Sequence, residues 1–407
     1  MLITQSQILY KKNKKMKIIF IFLLIFFPFR VFGAAFLIYN QDAKANSMGM
    51  AVSASIDNSS AVFYNPAMLP DLKGFGFLAG DIIAYPRMTY EDPISDEKYI
   101  TKTGSHHIPH LYMRYTKDRL ALGLGIFSPF GLSTQWPNNW IGRYNIIFAE
   151  IKTTFVNPVV AYRINDSISI GGGLSYIQSY VTFKSALNLF PLSDGLSRLS
   201  GDGDGIGYNG AIFVRLPNDL ALSFTYRSPV RIKYRGRAKF YLPPPLVSTS
   251  TGASTTLTLP FICAAGIAKK HGQFIFEADI LYTGWSSMSN YQISSDNGMA
   301  DGFFYKNWRN SPSIALGVNY FSGKNMEIRG GYMFDKTPIP KKTLGPELPD
   351  STRHIFTSGI TYKKGDYRFS IGYQATFFND TKSYMAGMAG KYTGFAHLIM
   401  FGMEFGE

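Results

Sequence analysis

Residues 363–378 read KKGDYRFSIGYQATFF. After the polar step Lys364-Gly365-Asp366, Tyr367, Phe369, Ile371, Tyr373 and Phe377 alternate with Arg368, Ser370, Gly372, Gln374 and Thr376. A period of two places these two sets on opposite faces of a β-strand, one apolar and aromatic, the other polar or small. The same pattern recurs upstream. Met326, Ile328, Tyr332 and Phe334 alternate with Glu327, Arg329, Gly331 and Asp335, and Phe274, Phe276, Ile280 and Tyr282 oppose Gln273, Glu277 and Asp279.

Extended along the chain, the alternation predicts strands at 74–90, 105–116, 119–127, 147–164, 167–184, 206–216, 219–240, 257–269, 272–288, 305–321, 324–335, 352–363, 366–378 and 391–405. Tight links recur at Lys117-Asp118, Asn165-Asp166, Pro217-Asn218, Lys270-His271-Gly272, Gly323-Lys324 and Lys364-Gly365-Asp366. Longer polar or Gly/Pro-rich connections fall between them, near 91–104, 128–146, 185–205, 241–256, 289–304, 336–351 and 379–390. Short turns alternating with long loops are the asymmetry of an antiparallel barrel across an outer membrane, with the short turns periplasmic. A sheet with one apolar face crosses lipid only when every edge N–H and C=O is paired, which requires closure. The fold class is therefore all-β: a 14-stranded antiparallel transmembrane β-barrel over 74–407. A soluble sandwich or a secreted solenoid is the competing architecture, and neither accounts for the global turn/loop alternation.

Composition agrees. The 407 residues include 39 Gly, 33 Phe and 26 Tyr, a combination suited to strands and tight turns. Residues 1–35 read as a secretory leader: KKNKKMK, then the apolar run IIFIFLLIFFPF, then small residues at Gly33, Ala34 and Ala35, with cleavage expected near 33–35. The leader holds six of the 41 basic residues, leaving 35 against 27 acidic ones. That excess is modest, and without a basic helix or aromatic platform it argues against nucleic-acid binding. Cys263 stands alone, which excludes a disulfide framework and a cysteine metal cluster. His106, His107 and His110 alternate faces on a strand and make a poor metal set, while Gly201-Asp202-Gly203-Asp204-Gly205 lacks the full calcium-loop pattern. No cofactor and no metal are expected, and no nucleophile elbow points to an enzyme.

The stretch 36–73 has neither period. It is rich in Ala, Ser, Gly and Met and contains the rigid corner Asn65-Pro66-Ala67. Fourteen strands enclose more space than their inward side chains fill, so this stretch is expected as a plug, or hatch, in the lumen.

Several fragments resemble the FadL family of outer-membrane transporters for long-chain fatty acids and, in some members, aromatic hydrocarbons. They are AAFLIYNQ (34–41), SSAVFYNPAML (59–69), FVNPVVAYRINDSISIGGGLSY (155–176), LALSFTYRSPVRIKYRG (220–236), NWRNSPSIALGVNYFSGKNMEIRGGYMFDKTPIP (307–340) and Leu348-Pro349-Asp350, in that order. The resemblance implies a monomeric barrel in the outer membrane of a Gram-negative bacterium, with a hatch, an internal ligand pocket and lateral release through a kinked third strand. On it, Phe36, Tyr39, Phe63 and Leu69 of the hatch, with Trp136 and Trp140 of an external loop, are the expected ligand contacts. Gly123, Gly125 and Pro129 in or beyond the third strand are the expected lateral gate, since glycine weakens a strand and proline lacks the ladder N–H. Two departures stand out: the final residue is Glu407 rather than an aromatic, and the loops lack a clear amphipathic helix, Ser185 to Leu199 being the nearest approach.

The partners expected are a hydrophobic small molecule, outer-membrane lipid and lipopolysaccharide. Arg227, Arg231, Lys233, Arg235 and Arg237 form a basic stripe suited to phosphate. Glu150, Lys152, Arg227, Glu277, Asp279, Glu327, Arg329 and Asp335 are expected on inward faces, anchoring the hatch or meeting a ligand carboxylate. A fatty acid is the first expectation for the cargo and an aromatic hydrocarbon the alternative. A surface adhesion or structural barrel remains open on sequence alone.

Overall fold

The computed structural model describes residues 35–406; the leader and Glu407 lie outside them. Fourteen strands follow one another around a ring: β1 Gly74–Glu91, β2 His110–Lys117, β3 Leu120–Phe127 continued by Gly131–Gln135, β4 Phe148–Arg163, β5 Ile168–Leu187, β6 Gly195–Leu216 and β7 Leu220–Arg227 with Val230–Tyr241. The second half comprises β8 Thr249–Leu259 with Ile262–His271, β9 Phe274–Thr283, β10 Ser311–Ser322, β11 Met326–Asp335, β12 Arg353–Lys364, β13 Tyr367–Ser383 and β14 Gly390–Phe405. Each pairs antiparallel with its sequence neighbours. The ring closes where β14 meets β1, from Phe77 opposite Phe405 to Glu91 opposite Lys391. Closure of β14 on β1 removes the two free edges an open sheet would leave unpaired in lipid.

The faces follow the alternation. Tyr367, Phe369, Ile371, Tyr373 and Phe377 are exposed on the outer wall, whereas Gln374 and Thr376 are buried inside. No helix among the described residues is long and apolar enough to cross a membrane; crossing falls to the strands.

Two strands exceed their predicted bounds. β6 starts at Gly195 rather than 206, and β8 at Thr249 rather than 257. Their first residues are paired, so the loops expected at 185–205 and 241–256 shrink to short tips, and Ser185 to Leu199 is two strand ends joined by the tip 188–194, not a helix. The run Gly201-Asp202-Gly203-Asp204-Gly205 is likewise neither turn nor ion loop. Its glycines face inward beneath β7, where a Cβ on Gly203 would stand 2.6 Å from the Lys233 carbonyl, and its aspartates point out. Glycine on the inner face carries no hydrophobic mark, so the period of two was hidden.

Residues 36–73 are almost wholly buried and bond to strands all around the ring, an arrangement available only from inside it. They contain two short helices, α1 Ala43–Ser47 and α2 Ala61–Tyr64, and a 3-10 turn, Pro66–Asp71.

Candidate transport route

The hatch is held by polar groups reaching inward from the wall. Asp279 on β9 accepts the N–H groups of Val52 (3.1 Å) and Ser53 (2.9 Å), and Glu277 accepts that of Ala54 at 2.6 Å. Glu404 on β14 takes the Ser59 N–H at 2.8 Å and its hydroxyl at 2.9 Å. Lys44 of α1 lies 2.7 Å from Glu327, which Arg329 also contacts at 3.1 Å. These carboxylates satisfy backbone donors that a helix-poor buried segment cannot satisfy itself. At Asn65-Pro66-Ala67 the Asn65 side chain donates to Ser53 O at 2.6 Å and accepts Ala67 N–H at 3.0 Å.

β3 is broken beside this segment. Phe127 stands opposite Phe155 on β4, but Gly131 stands opposite Lys152, so Ser128, Pro129 and Phe130 face only two residues. This one-residue bulge bends the strand and interrupts its ladder. On the other side, β2 and β3 pair only as far as Leu111 opposite Ile126. Higher up, contact resumes with Lys102 N–H donating to Gln135 O at 2.7 Å. Between these points no ladder joins β2 to β3 among the described residues, and the freed backbone groups turn to the hatch. Ile38 N–H donates to Pro129 O (2.8 Å), Gly131 N–H to Phe36 O (3.0 Å), and Leu37 bridges Phe130. The Gln41 amide completes the seal, donating to Ser128 O at 2.9 Å and accepting Ser128 N–H at 3.2 Å.

Two cavities meet at this seal. The outer one is a narrow apolar cleft of about 60 Å³ among Phe36, Leu132, Ile151, Val181, Met288 and Trp308. At its rim Lys306 is ion-paired with Glu347. Burial works against the Lys306 charge, but Glu347 and Tyr291 outweigh it and hold its pKa above the usual lysine range. The inner cavity is larger, about 730 Å³, and more polar. It runs from Phe36, Ile38 and Tyr39 to His106 and Ile108 of the β2 side and Phe130 and Gly131 of β3, the two lips of the gap. Phe36 lines both and is fixed by rings on three sides, with centroids 4.7 Å from Trp285, 5.9 Å from Trp308 and 6.0 Å from Phe130. Asp350 accepts the Ala35 N–H at 3.0 Å and anchors the same end of the segment.

The expected site residues divide accordingly. Phe36 and Tyr39 line the inner cavity, and Pro129 lies in the break of β3. Phe63 packs under Tyr39, centroids 5.4 Å apart, and beneath the Arg227 guanidinium, 5.1 Å away. Leu69 sits at the far end of the hatch, where its carbonyl accepts the Thr116 hydroxyl, and lines neither cavity. Trp136 and Trp140 are fully buried and stacked on each other at 4.4 Å, with Trp136 donating to Pro346 O at 2.9 Å. They pack the loops together and are exposed neither to lipid nor to a cavity. Gly123 and Gly125 lie in the paired part of β3, below the break; a Cβ on Gly123 would meet Val62 at 2.6 Å, so it makes room for the hatch. Of the inward set, Glu150 and Lys152 take the outward-facing positions of β4, pair with each other at 2.9 Å and line the inner cavity where it reaches the gap. Gln41, Ser128, Lys306 and Glu347 were not singled out. Only Ser128, beside Pro129, carried a usable sequence signal.

Among the described residues no group of three or more His, Cys, Asp or Glu side chains is placed to hold a metal. The family model for outer membrane protein transport proteins (OMPP1/FadL/TodX) matches residues 27–399. The chain belongs to this family. It is 26% identical over 404 residues to a long-chain fatty acid transport protein of Escherichia coli O6:H1, covering 87% of each chain. Its fold matches a Pseudomonas aeruginosa FadL homologue with a TM-score of 0.82 at 18% identity, over 92% of this chain and 100% of that one. The Pseudomonas putida toluene transporter TodX gives a TM-score of 0.73 at 14% identity, over 93% and 99%. As a FadL-family protein the chain is a passive outer-membrane channel for hydrophobic small molecules in a Gram-negative bacterium, and not an enzyme.

Proposed function

We propose that this channel takes hydrophobic molecules into the apolar cleft, passes them across Phe36 into the inner cavity, and releases them sideways between β2 and β3. One observation carries the reading: at the break the Ser128 N–H and C=O, the Pro129 C=O and the Gly131 N–H are bonded by residues 36–41 rather than by β2. A seal made of the chain's own N-terminal segment is reversible, whereas a ladder of strand hydrogen bonds is not on the timescale of transport. Within this reading, uncharged hydrocarbon-type molecules come before free fatty acids. The cleft is mostly apolar, and the ammonium at its rim is already neutralised by Glu347, so a carboxylate gains that cation only by displacing that side chain. Fatty acids remain the second reading, favoured by the relatives named as long-chain fatty acid transport proteins.

Deleting Pro129 restores one-to-one register opposite Thr153 and Thr154 and lets β3 zip to β2. Uptake of labelled toluene and oleate by cells making this variant should fall to background, with heat-dependent gel migration showing an intact barrel. Undiminished uptake through that correctly folded variant would overturn lateral release. Comparing the two cargoes in the parent separates the readings of substrate.

A further inference from the structure

The outer wall changes character along β7 at Pro229. Below it the exposed side chains are apolar, including Phe224 on β7 and Tyr208 and Ile212 on β6. Above it Arg231, Lys233, Arg235, Arg237 and Lys239 take five successive outward positions, alternating with buried Val230, Ile232, Tyr234 and Ala238. At roughly 3.3 Å per residue the row runs about 26 Å along the tilted strand. It points away from the short turn at Pro217-Asn218, and short turns mark the periplasmic side, so the row begins at the outer membrane interface and rises from it. β6 sets Arg198 opposite Lys239, and β5 sets Lys184 opposite Arg198. On the other flank four of the five facing residues of β8, Thr258, Thr256, Ser254 and Ser250, bear hydroxyls.

Asp202 and Asp204 are the carboxylates on these rungs of β6, too few to neutralise the row. Among the described residues the five bases form no ion pair, and Arg237 donates to the Ser250 hydroxyl at 3.0 Å. Cations repeated along one face repel one another, a cost removed by a multiply charged anion lying along them. The anions at this level of a Gram-negative outer leaflet are phosphates on a glycolipid, and arginine forks and hydroxyls are the donors that fit them. We propose that the outward face of β7 from Arg231 to Lys239, with Arg198, binds the phosphate groups of lipopolysaccharide. The exposed side chains of the row alternate with the buried lumenal ones, and the site stands whichever cargo the cavities carry.

The test uses the full-length barrel in non-ionic detergent with fluorescent bisphosphorylated lipid A as probe. Lys233→Glu/Arg235→Glu/Arg237→Glu should weaken binding about tenfold or more, and added salt should weaken binding to the parent. Lys98→Gln/Lys382→Gln/Lys391→Gln, which removes three charges from the far wall, should leave binding unchanged. Dephosphorylated lipid A should bind the parent no better than the intact probe binds the Glu variant. The corresponding Gln triple serves as the reading should the Glu triple not assemble. Unaltered binding in the folded variant would overturn the proposal. Equal displacement of the probe by phosphatidylglycerol or inorganic phosphate at matched phosphate would overturn it too, reducing the row to a general anion surface.

Discussion

Phe36 does two jobs with one ring: it closes the outer cleft from below and roofs the inner cavity. Phe36→Ala should cost the hatch end about 3 kcal/mol of packing and join the two spaces. The measurable outcome is faster entry of hydrophobic probes and faster amide exchange across 36–41, with the barrel unchanged. Trp136 offers a contrast, since its indole reaches Pro346 across 210 positions and touches no cavity. Trp136→Phe keeps most of the ring and loses one buried hydrogen bond, about 1 kcal/mol, so loop order should drop while transport rates hold. The sequence marked Phe36, because it begins the first ordered stretch. It could not sort Trp136 and Trp140 from the ligand contacts, because their burial depends on how the 336–352 loop folds back, and an aromatic in a loop looks the same whether it packs or binds.

The hatch rests on glycines. A Cβ on Gly317 would stand 2.5 Å from Met48 O, one on Gly171 2.7 Å from the Pro66 carbonyl carbon, and one on Gly331 would overlap the backbone of Met48 and Gly49. Gly49 itself has φ +64°, which only glycine adopts freely, so this corner yields little. Gly331→Val should therefore unseat α1 without breaking β11, and bilayer recordings should show ion leakage where the parent is tight. Removing the anchors acts differently. Glu277→Ala/Asp279→Ala strips three buried N–H groups of their acceptors, at about 1–3 kcal/mol each. Exchange should rise at 50–56 and stay slow in the strands. The strands themselves were legible from aromatic alternation, and the acidic residues within them from their place on the polar face. The glycine bed was not, because a residue without a side chain is silent in a pattern built on side chains.

On the route proposed for the whole molecule, from the outer cleft past Phe36 to the gap, the charge of the outer cleft rests mainly on one ion pair. Closure, strand number and the alternation of turns and loops could be read from the sequence because they repeat; the pairing of Lys306 with Glu347 could not, because it occurs once, between two loops 41 positions apart. That pair decides what the cleft offers a ligand. With Glu347 in place the ammonium is satisfied and the rest of the lining is mostly apolar, which favours a molecule bringing no charge of its own. Glu347→Gln removes the internal competitor and leaves Lys306 buried beside Tyr291 with no anion. A buried, unpaired cation is costly, and a carboxylate that enters the cleft recovers that cost as a charge-assisted hydrogen bond worth roughly 1.5–3 kcal/mol. Oleate should then displace a fluorescent fatty acid from the purified barrel about tenfold more effectively than it does from the parent, while toluene competes equally in both. Lys306→Met should do the reverse for oleate and again spare toluene, separating charge from shape. If oleate affinity is indifferent to both substitutions, the ion pair only packs the loops, and the preference for uncharged cargo loses its physical basis.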